Sequence, residues 1–83
     1  MNKILYFSAA WCGPCRALGP VVQQLQNEGL NIQKVDVDHD QTLSAQYSVK
    51  SIPTLIKIDQ NGNVIGRLMG MQSADSIKAM YGN

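Results

Sequence analysis

The sequence predicts an α/β fold, in which a four-stranded mixed sheet carries helices on both faces in the order β-α-β-α-β-β-α. Three observations lead to this prediction. Residues 3–7, which are apolar from residue 4 to residue 7, are typical of a central strand that is buried on both faces. Apolar residues then recur at helical spacing, and two later apolar runs are separated by an Asn-Gly pair. The 83 residues are expected to form a single domain over residues 1–83.

The composition is that of an ordinary globular protein. Hydrophobic residues make up 45% of the chain and charged residues 16%, which argues against a disordered chain. The net charge is +1, and Lys and Arg are scattered, so no nucleic-acid partner is expected. No apolar run approaches the ~20 residues of a membrane span, so no membrane association is expected either.

The first strand prediction competes with a signal peptide, because a lysine precedes the apolar run and small residues follow it. The run covers only residues 4–7, whereas a signal peptide needs an apolar stretch of ~7–15 residues. We therefore interpret the segment as a strand. A chain with two cysteines and no further pairs favours a reducing compartment, so a cytoplasmic location is expected.

The first helix is predicted over residues 14–28. Apolar residues at positions i, i+3, i+4 and i+7 define its buried face: Leu18, Val21, Val22 and Leu25. Gly29 suits the position just after the helix. Pro20 lies inside the helix and removes one hydrogen bond, so a kink is expected there.

The remaining elements follow from shorter signals. Residues 31–37 are predicted to form a second strand, parallel to the first and reached by a right-handed crossover. Asp38, with Gln41 three residues later, predicts the cap of a short helix that ends near Tyr47. Residues 54–58 and 64–69 are predicted to form an antiparallel hairpin.

The hairpin turn is predicted at Asn61-Gly62, where both residues tolerate a positive φ. The last helix is predicted to begin after Ser73, whose hydroxyl would cap it. Its buried face would carry Ile77, Met80 and Tyr81.

Cys12 and Cys15 stand where the first strand ends and the first helix begins. Cys15 precedes Leu18 by three residues and so shares the buried face of the helix. Cys12 lies before the first turn, where unpaired N–H groups and the helix dipole favour a thiolate. The position predicts an exposed nucleophile at Cys12 and a shielded resolving thiol at Cys15.

This division suits thiol–disulfide exchange, in which a thiolate forms a mixed disulfide that a second thiol resolves. Gly13 permits close approach of a substrate, and Pro14 suits the first helical turn. A zinc site is disfavoured, because zinc needs four ligands and the chain has one cysteine pair and one histidine, His39. We interpret His39 as part of a solvated turn. A purely structural disulfide is disfavoured as well, since so short a loop constrains the unfolded chain little.

The segment Trp11-Cys12-Gly13-Pro14-Cys15 resembles the active-site sequence of thioredoxins. The resemblance continues through Ile52-Pro53-Thr54, the Asn61-Gly62 turn and Gly70, and so covers nearly the whole chain. The strand and helix with which the family usually begins have no counterpart here, which makes the chain closer in size to glutaredoxins.

The resemblance implies a thioredoxin-like fold and a thiol–disulfide oxidoreductase that reduces protein disulfides. It implies no cofactor and no metal, only a redox-active Cys12–Cys15 disulfide. The implied partners are protein disulfide substrates and an external reductase such as thioredoxin reductase, or glutathione. A monomer is expected.

The resemblance also implies a substrate groove around Cys12. Pro53 would be cis and packed against the two sulfurs, and Ile52 would present its backbone to an extended substrate. The alternative is a trans Pro53 that only opens a strand. The groove would be apolar and lined by Trp11, Pro14, Ile52, Gly70 and Met71. For Trp11 the alternative is plain core packing. Of Met69 and Met71, one is expected to pack inside and the other to line the groove.

One position departs from the family pattern. Many thioredoxins have a buried aspartate six residues before the nucleophile, and Tyr6 stands there in this chain. Lys34 matches the lysine that accompanies this aspartate. A phenol cannot act as a carboxylate base near pH 7. We hypothesise that Tyr6 hydrogen-bonds to Lys34 or to a water chain toward Cys15. The alternative is a core aromatic residue whose hydroxyl is satisfied elsewhere.

Two other functions stay open at this point. A glutaredoxin-like reductase using glutathione is favoured by the short chain and the missing carboxylate. It is disfavoured because glutaredoxins commonly carry Tyr or Phe where Gly13 or Pro14 stands. A binding module that holds a partner in the same groove without redox turnover would not need both cysteines.

Overall fold

The structure is a computed structural model of the chain, and it describes residues 2–82. The order of the elements is the predicted one. They are β1 (Lys3–Ser8), α1 (Gly13–Asn27), β2 (Ile32–Asp36), α2 (Gln41–Gln46), β3 (Thr54–Ile58), β4 (Val64–Met69) and α3 (Ala74–Gly82). None of the described helices is both long and apolar enough to cross a membrane.

The four strands form one mixed sheet in the order β2-β1-β3-β4. β1 is parallel to β2 and antiparallel to β3, and β4 is antiparallel to β3. Because β1 has a strand on each side and helices above and below, its residues from Ile4 to Ser8 are all buried. The predicted central strand and mixed sheet are confirmed.

The alternation of side chains along β1 divides the core into two layers. Ile4 and Tyr6 pack with buried residues of α1 and with Ile77 of α3. Leu5 and Phe7 pack on the opposite face, toward Tyr47 and the α2 side. Helices therefore cover both faces of the sheet, as predicted.

The helix α1 buries the predicted face. Its buried residues are Cys15, Leu18, Val22 and Leu25, and Val21 lies partly buried at the margin of the same cluster. Pro20 lies inside the helix, and Gly29 follows it with a φ of +103°. The cap of α3 is confirmed too, since the N–H of Ser76 donates to Ser73 Oγ at 3.1 Å.

The cap of α2 differs from the prediction. The carboxylate of Asp40 accepts the N–H of Leu43 at 3.0 Å, so Asp40 and not Asp38 caps the helix. The reason lies in the preceding residues, which form a turn of their own. Asp36 accepts the backbone N–H of Asp38 at 2.9 Å through its carboxylate and that of Asp40 at 2.9 Å through its carbonyl. The helix can begin only after this turn closes.

The hairpin turn also differs. Gly62 has a φ of +85°, but Asn61 does not have a positive φ. The N–H of Gly62 donates to the carbonyl of Asp59 at 3.0 Å, and the N–H of Asp59 donates to the carbonyl of Asn63 at 3.0 Å. The loop is therefore three residues long, with the glycine in its last position.

The side chain of Asp59 explains the longer loop. Asp59 Oδ1 accepts the N–H groups of Asn61 and Asn63, each at 2.9 Å. These hydrogen bonds, with Asn63 contributing most, hold the pKa of Asp59 below its ordinary value. Because the carboxylate takes N–H groups on the inside of the turn, it favours the three-residue loop.

Tyr47 connects α2 with this hairpin. Arg67 on β4 donates to the carbonyl of Tyr47 at 2.8 Å, and the Tyr47 hydroxyl donates to the carbonyl of Gly62 at 3.2 Å. The Tyr47 ring lies tilted against Phe7, with centroids 6.3 Å apart. The packing of α2 on the sheet thus depends on polar contacts as well as on apolar ones.

The strand β2 lies at one edge of the sheet. The carbonyl of Ile32 accepts the side-chain amide of Gln26 at 2.8 Å. At the other end of the strand, the carbonyl of Asp36 accepts the N–H groups of His39 at 3.1 Å and Asp40 at 2.9 Å. Both ends of this edge are therefore hydrogen-bonded within the chain.

Candidate active site around Cys12 and Cys15

The two cysteines meet at the start of α1, where a disulfide joins them with their Cα atoms 5.2 Å apart. Cys12 is the N-cap residue and has an extended backbone. Its Sγ accepts the N–H of Cys15 at 3.2 Å, which is one of the donors that a helix leaves unpaired in its first turn. The sulfur of Cys12 thus occupies the position of a capping oxygen.

Exposure does not distinguish the two cysteines. Cys12 is 5% exposed and Cys15 4% exposed, so the predicted exposed Cys12 is wrong for this disulfide form. Both sulfur-bearing residues form a small cluster with Ala9, and Ile52 and Val37 pack against it. What distinguishes the two residues is the N-cap position of Cys12.

Gly13 and Pro14 open the helix and are exposed. Apart from its chain neighbours and the backbone of its own helix, no atom lies within 4 Å of a Cβ placed on Gly13, so no other part of the described chain covers this position. Pro14 falls at the first turn, as predicted, where its missing N–H would have had no partner in the helix.

The predicted cis-proline is confirmed, since the Ile52–Pro53 peptide bond is cis and Pro53 is buried. Cys12 Sγ lies 3.9 Å from the carbonyl oxygen of Ile52. The carbonyl of Pro53 accepts the N–H of Gly70 at 2.9 Å. These contacts bring the loop before β3 and the end of β4 beside the disulfide.

Both methionines next to Gly70 are exposed, Met69 by 61% and Met71 by 54%, so the expectation that one packs inside is wrong. Along β4, Leu68 packs into the core and Met69 points away from it. Gly70 then takes a φ of +80°, which turns the chain out of the strand. Met71 therefore does not continue the alternation of buried and exposed side chains along β4.

Trp11 is 67% exposed, which excludes core packing. Its Nε1 donates to Asp38 Oδ2 at 2.8 Å. The sequence interpretation placed Asp38 in a helix cap and missed this role. Trp11 follows β1 and Asp38 follows β2, and the carboxyl ends of parallel strands meet at one edge of a sheet. That topology is the signal from which the pairing could have been found.

A pocket of about 340 Å³ lies beside Trp11, on the side of the loop that precedes β3. Its lining is mostly apolar, with Lys50 as its charged member. The lining consists of Trp11, Val37, Ser44, Val49, Lys50, Ser51 and Ile52. Trp11 and Ile52 are thus wall residues of the same depression, whereas Pro14, Gly70 and Met71, the other residues of the predicted groove, are not part of its lining.

Tyr6 lies behind the disulfide and is 1% exposed. Its hydroxyl donates to the carbonyl of Cys15 at 2.9 Å, so the structure does not place it on Lys34. Burial raises the pKa of Tyr6, and a side-chain hydrogen bond with Ser8 opposes part of this effect. The alternative of a core tyrosine with a satisfied hydroxyl describes what the structure shows.

A second, larger cleft of about 540 Å³ backs onto Cys15. Tyr6, Cys15 and Lys34 are all among its lining residues, and Lys34 itself is exposed. The lining consists of Tyr6, Ser8, Ala9, Ala10, Cys15, Arg16, Gly19, Lys34 and Asp36. Within residues 2–82, no group of three or more His, Cys, Asp or Glu residues is placed to hold a metal ion.

The sequence is similar to those of known proteins. The chain is 36% identical to a thioredoxin of Staphylococcus epidermidis over 78 residues, which cover 90% of this chain and 74% of that protein. It is 42% identical to a thioredoxin of Chlamydia trachomatis over 76 residues, covering 89% and 74%. It is 34% identical to mouse mitochondrial thioredoxin, covering 92% of this chain and 47% of that protein, and so spans about half of it.

Solved structures agree with the fold. A mutant thioredoxin from Halobacterium salinarum superposes with a TM-score of 0.88 at 34% identity, covering 96% of this chain and 71% of that one. A reduced Schistosoma mansoni thioredoxin superposes with a TM-score of 0.87 at 30% identity, covering 98% and 76%. The family model described as Thioredoxin matches residues 2–82. The chain belongs to the thioredoxin family.

Proposed function

We propose that the chain is a thiol–disulfide oxidoreductase that reduces protein disulfides by dithiol exchange, with Cys12 as nucleophile and Cys15 as resolving thiol. The observation that carries this proposal is the N-cap position of Cys12, whose sulfur accepts the N–H of Cys15 at 3.2 Å. A thiolate at that place gains a hydrogen bond and the favourable end of the helix dipole. A larger thiolate fraction follows near neutral pH.

In the first step, the Cys12 thiolate attacks one sulfur of the substrate disulfide. A Cys12–substrate disulfide forms, the substrate bond breaks, and the second substrate sulfur leaves as a thiolate that takes a proton from solvent. In the second step, the Cys15 thiolate attacks Cys12 Sγ. The Cys12–Cys15 disulfide forms and the first substrate sulfur leaves, so two electrons have passed to the substrate.

The groove around Cys12 holds the substrate during these steps. The carbonyl of Ile52 lies 3.9 Å from Cys12 Sγ, where it can accept an N–H from an extended peptide. Apolar side chains of the substrate would meet the surrounding surface of Trp11, Gly13, Pro14, Ile52, Gly70 and Met71, and the buried Pro53 would support this surface from below.

Cys15 must lose a proton before the second step, and its neighbour Tyr6 is not a base. Burial raises the pKa of Tyr6, so the phenol stays neutral under working conditions. The cleft of about 540 Å³ that Cys15 lines gives a route for solvent. We assign the acceptance of this proton to solvent in the cleft.

The resulting disulfide needs an external reductant. Relatives that are themselves named thioredoxins support a reductase such as thioredoxin reductase, with glutathione as the other donor to be tested. Both cysteines of the chain belong to the redox pair, which suits a monomer working in the cytoplasm.

Paired activity assays test the proposal. Insulin reduction with thioredoxin reductase is compared with turnover of a glutathione mixed disulfide, and insulin reduction is expected to be the faster. Cys15→Ser is expected to accumulate a mixed disulfide with the substrate, whereas the matched variant Cys12→Ser forms none. Preference for glutathione would indicate a glutaredoxin-like enzyme, and full biological activity of the double serine variant would indicate a binding module.

A further inference from the structure

Two methionine thioethers border the proposed substrate groove. Met69 ends β4 and Met71 follows Gly70, whose N–H is hydrogen-bonded to the carbonyl of Pro53 at 2.9 Å. The residue before that proline is Ile52, whose carbonyl lies 3.9 Å from Cys12 Sγ. Two successive backbone contacts therefore connect the Met69–Met71 turn with Cys12, so the turn lies at the edge of the surface available to a substrate bound there.

The turn presents its sulfur atoms on a fixed backbone. The side-chain amide of Gln72 donates to the carbonyl of Met69 at 2.9 Å, and the Gly70 hydrogen bond holds the next residue. Met69 is 61% exposed and Met71 54% exposed. Met80, in contrast, is partly buried against the core cluster, and its thioether would lie 3.1 Å from a Cβ placed on Gly66.

We propose that Met69 and Met71 form a modification site for a two-electron oxidant of the peroxide class, and that their oxidation lowers the affinity of the groove for protein substrates. This inference rests on the proposed function. Each thioether sulfur takes one oxygen atom from hydrogen peroxide. The O–O bond breaks, an S–O bond forms, water leaves, and the sulfur loses the two electrons that the peroxide gains.

The physical effect is a change of polarity at the edge of the groove. A methionine side chain is a flexible apolar surface, and its sulfoxide is polar and chiral. An apolar substrate side chain that lies against the sulfoxide must desolvate a strong acceptor. A small disulfide reagent that reaches Cys12 without using the groove loses nothing. Oxidation should therefore raise the KM for a protein disulfide and leave turnover of the small reagent unchanged.

The test begins from the Cys12–Cys15 disulfide form, which has no free thiol to be oxidised. The protein is treated with hydrogen peroxide, quenched and mapped by peptide mass spectrometry. Met69 and Met71 are expected to gain oxygen well before Met80. The disulfide is then reopened with dithiothreitol, and insulin reduction is measured beside reduction of a small aromatic disulfide. We expect a roughly two- to tenfold rise in KM for insulin alone.

Two variants make the result specific, each compared with itself before and after peroxide. In the double variant Met69→Leu/Met71→Leu, treatment is expected to leave the KM for insulin unchanged. The matched variant Met80→Leu is expected to show the same rise as the parent chain. Oxidation of Met80 at the same rate, an unchanged KM after full conversion of Met69 and Met71, or equal sensitivity of the double variant would each overturn the inference. Failure of the untreated protein to reduce insulin would instead overturn the proposed function.

Discussion

Tyr6 acts on the backbone of Cys15 and not on its sulfur. Its hydroxyl donates to the Cys15 carbonyl at 2.9 Å from a position that is 1% exposed. The contact joins the middle of β1 to the first turn of α1, which carries the redox pair. The tyrosine therefore positions the start of the helix.

Tyr6→Phe is expected to lower the free energy of unfolding by about 1–2 kcal/mol, because the hydrogen bonds of the hydroxyl to the Cys15 carbonyl and to Ser8 are lost. Urea unfolding of the disulfide form at neutral pH measures this change. Unchanged stability would show that the hydroxyl contributes nothing to the packing of α1.

The same residue predicts a pH dependence. Burial raises the folded pKa of Tyr6 above its ordinary value of 10.0, so the unfolded chain releases this proton at a lower pH than the folded chain does. The contribution of Tyr6 is complete below that ordinary value, and stability falls as the pH rises toward the folded pKa. Urea unfolding between pH about 9 and about 11 should show a steeper fall in the parent chain than in Tyr6→Phe. Parallel slopes would contradict the assignment.

Asp38 holds the indole of Trp11 through a hydrogen bond of 2.8 Å. Asp38→Ala should free the ring, raise the KM for a protein disulfide by about threefold and leave small-disulfide turnover unchanged. Trp11 is the one tryptophan in the chain, so its fluorescence anisotropy and quenching report on the ring directly. Asp75→Ala, on the first turn of α3, serves as the exposed control. An indole that stays immobile in Asp38→Ala would contradict the proposal that Asp38 holds the ring of Trp11.

For single residues, the sequence predicts those features that depend on position along one helix. The N-cap position of Cys12 and the buried position of Cys15 follow from counting along one helix. The pairing of Trp11 with Asp38 joins two side chains that are 27 residues apart, and no periodicity reports it. The burial of Cys12 could not be predicted, because the residues that pack against its cluster, Val37 and Ile52, come from distant parts of the chain.

At the scale of elements, most boundaries were predictable, whereas the turns and the start of α2 were not. Repeating apolar patterns place each strand and helix, because burial acts on many residues at once. The position and length of a turn depend on which carbonyl or carboxylate oxygen accepts hydrogen bonds from a few N–H groups. Asp36 and Asp59 each take such groups and thereby move the start of α2 and lengthen the hairpin loop.

The corrected cap of α2 can be tested with one matched pair of variants. Asp40→Ala removes the acceptor for the N–H of Leu43 and should lower stability by about 1 kcal/mol. Asp40→Asn keeps a capping oxygen and should cost much less, since Asn caps helices nearly as well as Asp. Urea unfolding midpoints compare the two. Equal losses would mean that the charge of Asp40, and not its cap, matters.

For the whole molecule, the mixed sheet and the helices on both faces follow from the order of elements. The hydrogen bonds from Arg67 to Tyr47 and from Tyr47 to Gly62 do not follow from this order. Their partners are separated in sequence by 20 and 15 positions, respectively. They connect α2, the hairpin and β4 on one side of the sheet. A chain of 83 residues has a small core, so such contacts form a large share of its stability.

Arg67→Met keeps the apolar stem and removes the donor to Tyr47. We expect a loss of about 1 kcal/mol, which corresponds to a fall in Tm of about 4–8 °C for a domain of this size. Arg16→Met, at the other arginine, is the control and should shift Tm far less. Calorimetry of the disulfide form distinguishes the two, and equal shifts would remove the special role of Arg67.

The hydrogen-bonded ends of β2 have a consequence for behaviour at high concentration. An unpaired sheet edge is a template onto which a strand of another molecule can add, and strands that add in this way are usually several residues long. Along β2 the Ile32 carbonyl is taken by Gln26, and the Asp36 carbonyl is taken by the following turn. Only a short stretch around Lys34 lies between these two occupied carbonyls, and a lysine on an edge strand discourages the addition of a further strand. We therefore expect strand addition to be disfavoured at this edge of the sheet.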